Sequence, residues 1–123
     1  MDTNGHESLL KDASLPHAAQ VYSIVGAAFE VLKEIGHGLH EKPYENALVV
    51  EFGRRNLAVE QQRPFEISYK GKPVGLFVPD LLVANAVVVD TKVIERITNV
   101  ERGQVLNYLR ITKLKVGVIL NFH

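Results

Sequence analysis

The chain has 123 residues, of which 46% are hydrophobic and 23% are charged, a balance that fits one globular domain with its own core. Lys plus Arg and Asp plus Glu both number 14, and this zero formal net charge argues against a domain that grips nucleic acid through bulk charge alone, but not against a local basic patch. The chain has no cysteine, which excludes disulfides, thiol catalysis and cysteine metal sites.

Residues 1–14 are polar and lack hydrophobic periodicity, so we expect a loose N-terminal leader ahead of one domain over residues 15–123. The leader has no apolar core of the kind that a signal peptide needs, and no apolar run approaches the length of a membrane span. We therefore expect a cytoplasmic protein with no membrane partner.

Two helices are predicted next. Ser14 and Pro16 suit the cap and the first turn of the first helix, and the Gly-His-Gly sequence at 36–38 suits its end. Between these signals one buried stripe recurs at helical spacing: Val21, Ile24, Val25, Ala28, Leu32 and Ile35. The second helix is predicted to begin near Pro43. Its apolar side consists of Tyr44, Ala47, Leu48 and Phe52.

The segment that follows is rich in Val, Phe, Tyr and Ile, with turn residues between the apolar runs. We predict three strands, at about 58–69, 74–83 and 86–93, joined as antiparallel hairpins because they lie close in sequence. Pro64 marks a bulge or an edge in the first strand, since proline cannot donate a ladder hydrogen bond. The third strand is almost continuously apolar, which is typical of a strand covered on both faces.

A third helix and a last strand complete the order. Thr98 and Glu101 have the spacing of a capping box. A helical stripe follows, made of Val105, Leu106 and Leu109. The apolar run at 115–122 predicts a strand that can join the sheet only by a crossover. The order α-α-β-β-β-α-β indicates an α/β (α+β) fold, with helices packed on a mixed sheet.

Asp80 lies in the second predicted strand, and Asp90 and Lys92 lie in the third. Burying a charge in such apolar strands costs free energy unless a partner compensates it. Asp90 and Lys92 are two residues apart and project from the same face, while Thr91 faces the other way. Nine residues separate Asp80 from Asp90, enough for a hairpin that brings the two carboxylates together. A divalent cation bound between them removes their repulsion, and a lysine beside them can hold an attacking water or stabilise developing negative charge.

Structural explanations compete with this functional one. An Asp-x-Lys sequence at a strand end commonly forms a same-face ion pair, and a Pro-Asp pair suits a turn. Glu41 and Glu45 share a helical face and could add a carboxylate, but acidic residues also suit the first turn of a helix. Gln104 and Tyr108 share a face of the third helix and could point at the cluster, or they could be partly buried polar groups of the core.

Several short motifs, taken together and in order, resemble those of a known family. The segment from Gly38 to Leu48, GLHEKPYENAL, carries the Gly-x-x-Glu-x-x-Tyr signature of the GxxExxY protein family. The sequence PD, nine residues and then DTK resembles the Pro-Asp…(Asp/Glu)-x-Lys signature of the PD-(D/E)XK nuclease superfamily, in which the GxxExxY proteins are placed. The sequence QVLNY is similar to the Gln-x-x-x-Tyr motif of the RecB and lambda-exonuclease branch. The resemblance extends from about Val21 to Phe122, nearly the whole domain.

The resemblance implies a single-domain PD-(D/E)XK-like fold that binds Mg²⁺ or Mn²⁺. Asp80 and Asp90 match the metal-binding acids of the superfamily. Glu45 is the best match for the acid of the first conserved helix, with Glu41 second. Asp90 departs from the family's more usual Glu, and this shorter side chain would shift the metal.

The resemblance also implies catalytic residues other than the metal ligands. Lys92 matches the catalytic lysine, and Gln104 with Tyr108 matches the branch motif that orients the lysine, the metal shell or the substrate. A histidine is common ahead of the glutamine in the family, but this chain has Glu101 there, which weakens any phosphate contact at that point.

Two functions of different class follow. The first is a metal-dependent nuclease that hydrolyses phosphodiester bonds in nucleic acid, with DNA favoured over RNA. Its substrate would need basic residues on the rim of the site: Arg54, Arg55, Arg63, Lys70, Lys72, Arg102, Arg110 and Lys113. The alternative is a catalytically inactive nuclease-fold module for binding or assembly, which the zero net charge and the small size favour. A homodimer would suit either function, because two protomers could build a larger cleft.

Overall fold

The computed structural model describes residues 17–123. The predicted leader and the predicted helix start at Ser14 and Pro16 lie outside the described residues. The elements in chain order are α1 (Ala18–Ile35), α2 (Glu41–Arg54), β1 (Val59–Gln61), β2 (Phe65–Tyr69), β3 (Lys72–Phe77), β4 (Leu81–Val83), β5 (Val87–Lys92), α3 (Asn99–Thr112) and β6 (Val116–Asn121). No helix in this part of the chain combines the length and the hydropathy that crossing a bilayer requires.

Within the described residues, the main sheet has four strands in the order β1-β4-β5-β6. Strands β1, β4 and β5 pair antiparallel, and β6 pairs parallel with β5 after a crossover through α3. The predicted mixed sheet flanked by helices is therefore confirmed.

Two of the three predicted strands are each broken in two, so the prediction of three strands in this segment was wrong. The first breaks between β1 and β2, where Gln62 adopts a left-handed φ of 59° and Pro64 lacks an N–H for the ladder. The second breaks at 78–80 around Pro79, between β3 and β4. Strands β2 and β3 form a separate two-stranded hairpin.

The two faces of the main sheet are covered by different helices. Val87 and Val89 belong to one core cluster with the buried residues of α1 and α2. On the opposite face α3 packs closely at Gly117 of β6, where an added Cβ would lie 2.5 Å from a methyl carbon of Val105. The central strand β5 is thus covered on both faces, as its continuous apolar sequence predicts.

Helix α1 ends at the predicted place. Gly36 follows it with a φ of 72°, and its N–H donates to the carbonyl of Leu32 at 2.8 Å. The buried stripe of α1 includes Val31 and leaves out Ile35, which is 42% exposed because it lies in the last turn, beyond the edge of the core.

Tyr44 of α2 fixes the connection between the first two helices. Its ring is fully buried and stacks on Phe122 with the ring centroids 4.5 Å apart. Its hydroxyl donates to the carbonyl of Gly36 at 2.7 Å and accepts from the N–H of Leu39 at 3.3 Å. Since the N–H of Phe122 donates to the carbonyl of Lys92 at 2.8 Å, the first turn of α2 is held next to the end of β5.

The start of α3 confirms the predicted capping box. The N–H of Thr98 donates to the carboxylate of Glu101 at 2.8 Å, and the Thr98 hydroxyl accepts from the N–H of Val100 at 3.2 Å. These bonds satisfy amides at the helix N-terminus that would otherwise lack partners.

Candidate active site

A cavity of about 180 Å³ lies where the start of α2, the ends of β3 and β5 and the middle of α3 meet. The charged and polar side chains that line it are Glu41, Asp80, Asp90, Lys92 and Tyr108. Apolar walls come from Phe77, Val78, Pro79, Val88 and Val89. The structure thus brings four of the six predicted catalytic residues, and the second-choice helix acid, to one place.

The sheet register places the two aspartates side by side. The ladder between β4 and β5 pairs Leu81 with Val89, and one further step puts Asp80 opposite Asp90. The carboxylate of Asp80 is held by the next residue of β5, because both the N–H and the hydroxyl of Thr91 donate to its Oδ2 at 2.9 Å.

Asp90 is largely buried and incompletely satisfied. Its side chain is 13% exposed, and its Oδ2 has no hydrogen-bond partner within residues 17–123. The ammonium of Lys92 lies 3.5 Å from that oxygen, an ion-pair contact too long for a good hydrogen bond. Burial raises the pKa of Asp90 to about 7, since the attraction of Lys92 only partly offsets it and the Asp80 carboxylate adds to it.

The two proton donors of the cavity keep their protons at neutral pH. Burial lowers the pKa of Lys92, but the negative charges of Asp90 and Glu41 outweigh burial and hold that pKa above its ordinary value. Burial and the Asp90 carboxylate raise the pKa of Tyr108, with an opposing effect from Lys92. Both side chains can therefore donate hydrogen bonds to an anion in the cavity.

Tyr108 is positioned by an aromatic partner from the β2–β3 hairpin. Its ring stacks on that of Phe77, with the centroids 4.1 Å apart and the planes 16° from parallel. Gln104, one helical turn earlier on α3, is exposed and does not line the cavity. Of this pair, the structure therefore brings Tyr108 to the cluster and leaves Gln104 outside the cavity.

The two candidate acids of α2 have different surroundings. Glu45 is 3% exposed, and its Oε2 accepts from the Gln61 amide at 2.6 Å, the Gln62 amide at 3.0 Å and the Lys42 ammonium at 3.1 Å. Burial would raise the pKa of Glu45, but these three donors outweigh burial and hold that pKa below its ordinary value. Glu45 does not line the cavity, whereas Glu41 does. For the acid of the helix, the geometry thus favours Glu41, the second match of the resemblance, over Glu45, the first.

None of the basic residues expected at the rim lines the cavity itself. Among the described residues 17–123, Lys92 is the one cationic side chain that lines the cavity. Arg55 pairs with Glu51 at 2.8 Å, and Arg63 pairs with Glu60 at 3.3 Å. Other basic residues line separate surface grooves: Arg54 between α1 and α2, and Arg110 with Lys113 between α3 and the hairpin.

Two observations bear on whether this site can hold a divalent cation. Within residues 17–123, no group of three or more His, Cys, Asp or Glu side chains is close enough together to hold a metal ion. The two aspartates nevertheless form an adjacent pair of oxygen donors, and the buried Oδ2 of Asp90 has no hydrogen-bond partner within residues 17–123. Hard cations take oxygen ligands and commonly keep several waters, so a pair of carboxylates suits Mg²⁺ or Mn²⁺.

Sequence reasoning missed two residues that shape the site. Thr91 was expected to face away from the cluster, and its side chain is indeed not part of the cavity wall, yet it holds Asp80. Phe77 supplies the partner of Tyr108. Local sequence contains no signal for either contact, because each joins residues that the fold brings together.

A comparison with protein-family models finds a match over residues 18–123, and the matching model is described as PD-(D/E)XK nuclease superfamily. No curated protein matches the chain, and no solved structure matches it.

Proposed function

This chain belongs to the PD-(D/E)XK nuclease superfamily, and from that premise we propose that it is a divalent-metal-dependent nuclease that hydrolyses phosphodiester bonds in nucleic acid. Nucleases of this superfamily generally use divalent metal ions. The observation that carries the proposal is the pair Asp80 and Asp90, side by side, with a buried Asp90 oxygen to which no group within residues 17–123 donates a hydrogen bond. A buried carboxylate oxygen that has no hydrogen bond, and only an ion-pair contact with Lys92 at 3.5 Å, is costly unless it serves a ligand.

We assign Asp80 and Asp90 to the cation, with Mg²⁺ or Mn²⁺ as the ion. When bound, such an ion supplies Lewis acidity to the scissile phosphate and lowers the pKa of water. Glu41 extends the acidic wall from the first turn of α2 and is our choice for the helix acid, because the oxygen of Glu45 that receives three hydrogen bonds is already committed.

Lys92 and Tyr108 act on the reacting groups. The protonated Lys92 is held beside Asp90, where it can orient the attacking water or donate to a phosphate oxygen as negative charge develops. Tyr108 is held by Phe77 and donates from the opposite wall of the cavity. Gln104, exposed on the same helix, is assigned to contact with the substrate outside the cavity.

The charge of the cavity supports a cation requirement. From the part of the chain that the structure describes, three acids and one lysine line it, so a nucleic-acid phosphate meets net negative charge from these residues unless a cation neutralises the acids. Metal binding and substrate binding should therefore be coupled. Nucleic acid follows from the superfamily, and DNA is the first substrate to test.

A second candidate function is a catalytically inactive binding or assembly module. The observation that favours it is the lack, within residues 17–123, of a group of three metal-binding side chains. It predicts that the chain binds nucleic acid or a partner without cleaving either.

The test of the proposed function is cleavage of labelled single- and double-stranded DNA and RNA with Mg²⁺ or Mn²⁺. Lys92→Ala should reduce the rate at least about 100-fold, in the range typical of losing a group that stabilises transition-state charge, while Mn²⁺ binding is largely retained. Lys33→Ala, at an exposed position of α1, is the matched control and should cleave like the wild type. Equal cleavage by wild type and Lys92→Ala, in separately purified batches, would assign the activity to another site or a contaminant. Normal Mn²⁺ binding without any cleavage would favour the binding module.

A further inference from the structure

Thr91 lies between Asp90 and Lys92 in the sequence, and the proposed chemistry gives it no role. It nevertheless makes a specific contact within the site. Its N–H and its hydroxyl both donate to one oxygen, Oδ2 of Asp80, each at 2.9 Å. The residue is 1% exposed, so solvent cannot substitute for the hydroxyl if it is removed.

The position of Asp80 in the chain explains why such a contact is needed. Asp80 precedes the first residue of β4 and follows the break after β3. Its carbonyl accepts from the N–H of Gln62 at 3.1 Å, but this backbone bond does not fix the side chain. A short side chain at such a position has several rotamers available. The two donors from Thr91 select one of them, in which Oδ2 is engaged and Oδ1 is left for other partners.

The same contact eases the approach of two like charges. Asp80 and Asp90 lie opposite each other, and hydrogen bonds to a carboxylate stabilise its charged form. Thr91 approaches Asp80 from outside the cavity, so the donors stabilise the pair without occupying the space between the acids.

We infer that Thr91 is a positioning residue, whose hydroxyl fixes the Asp80 carboxylate in the orientation that receives a divalent cation. This inference rests on the proposed metal site. Groups that hold a metal ligand in place typically affect metal affinity by about 10- to 100-fold when they are removed. The backbone N–H of residue 91 remains in a valine, serine or alanine variant. Loss of the hydroxyl alone should therefore weaken metal affinity by a factor near the lower end of this range.

The experiment is calorimetric titration of Mn²⁺ into the metal-free full chain and its variants, with melting temperatures recorded in parallel. Thr91→Val keeps the shape and removes the hydroxyl, and its Kd for Mn²⁺ should rise by roughly 10-fold. Thr91→Ser keeps a hydroxyl. Its Kd for Mn²⁺ should lie within about 3-fold of the wild-type value, a margin that allows for ordinary context dependence. If Thr91→Val does not fold, Thr91→Ala removes the same hydroxyl with less side chain to pack.

The matched control is Thr112→Val. Thr112 is also a buried threonine, and its hydroxyl donates to the carbonyl of Tyr108 at 2.9 Å, at the far end of α3. This variant should lower the melting temperature but leave the Kd for Mn²⁺ unchanged, which separates a loss of stability from a loss of positioning.

Three results would overturn the inference: equal Mn²⁺ affinity in Thr91→Val and the wild type, equal weakening in Thr91→Val and Thr112→Val, or no Mn²⁺ binding by the wild type. Cleavage is not part of this measurement. A chain that binds Mn²⁺ and cleaves nothing would contradict the proposed nuclease, and the Thr91 variants would still decide the positioning role.

Discussion

At the scale of single residues, Asp90 makes the site sensitive to pH. Its pKa is raised from 3.8 to about 7, first by burial and further by Asp80. Between these two values the folded chain keeps a proton that the unfolded chain has released. The free energy of unfolding of the metal-free protein should therefore fall as pH rises through that window, and the whole contribution is lost above it.

The predicted fall in stability can be tested by denaturant unfolding in EDTA. The measurement covers about pH 4.5 to 8, where the folded and unfolded chains differ in the protonation of Asp90. Asp90→Asn should flatten the fall in stability relative to the wild type, because an amide does not titrate. Glu95→Gln, at an exposed position, is the control and should follow the wild type. Parallel curves for Asp90→Asn and the wild type would show that Asp90 is not the group responsible. Mn²⁺ affinity should also weaken below pH 7, since protons compete for the same carboxylate.

At the scale of elements, the packing of α3 on the sheet decides where Tyr108 lies. The closest approach is at Gly117, where an alanine Cβ would be 2.5 Å from a side-chain carbon of Val105. Gly117→Ala should force the helix outward and cost about 1–3 kcal/mol of unfolding free energy, as overpacking usually does. Because α3 carries Tyr108, the cleavage rate should fall as well.

Gly103 on the same helix offers a matched control. It is exposed, and an added Cβ would meet no atom within 4 Å. Gly103→Ala should stabilise the protein by about 0.4–1 kcal/mol, since alanine restricts the unfolded chain and favours the helix. Denaturant unfolding measures both changes in the free energy of unfolding. A decrease for Gly117→Ala and an increase for Gly103→Ala would support the close packing of α3 on β6, whereas no change for Gly117→Ala would contradict it.

At the scale of the whole molecule, metal binding and folding are linked. A ligand that binds only the folded state stabilises it by about 2.7 kcal/mol at 100 times its Kd, so Mn²⁺ should raise the melting temperature. Asp80→Asn should abolish this increase. Its metal-free melting temperature should equal or exceed that of the wild type, because one of two adjacent charges is removed while an amide oxygen still accepts from Thr91. A variant that melts much lower without metal, yet keeps the Mn²⁺ response, would mark Asp80 as structural.

Features set by local pattern could be predicted from the sequence. Helical spacing predicted α1, the Gly-His-Gly sequence predicted its end at Gly36, and the Thr98–Glu101 spacing predicted the cap of α3. The alternation of a strand placed Asp90 and Lys92 on one side, and the short connection brought Asp80 to them. Such features depend on residues within a few positions of one another, or on a single hairpin, and the chain specifies them directly.

Only the tertiary structure decided how distant segments share the site. It placed Glu41 rather than Glu45 at the cavity, because residues of β1 and the loop after it engage Glu45. It also turned the side chain of Asp80 to Thr91 and brought a hairpin residue, Phe77, onto α3. These contacts join elements whose relative position depends on the packing of the whole core, and no local period in the sequence encodes that position.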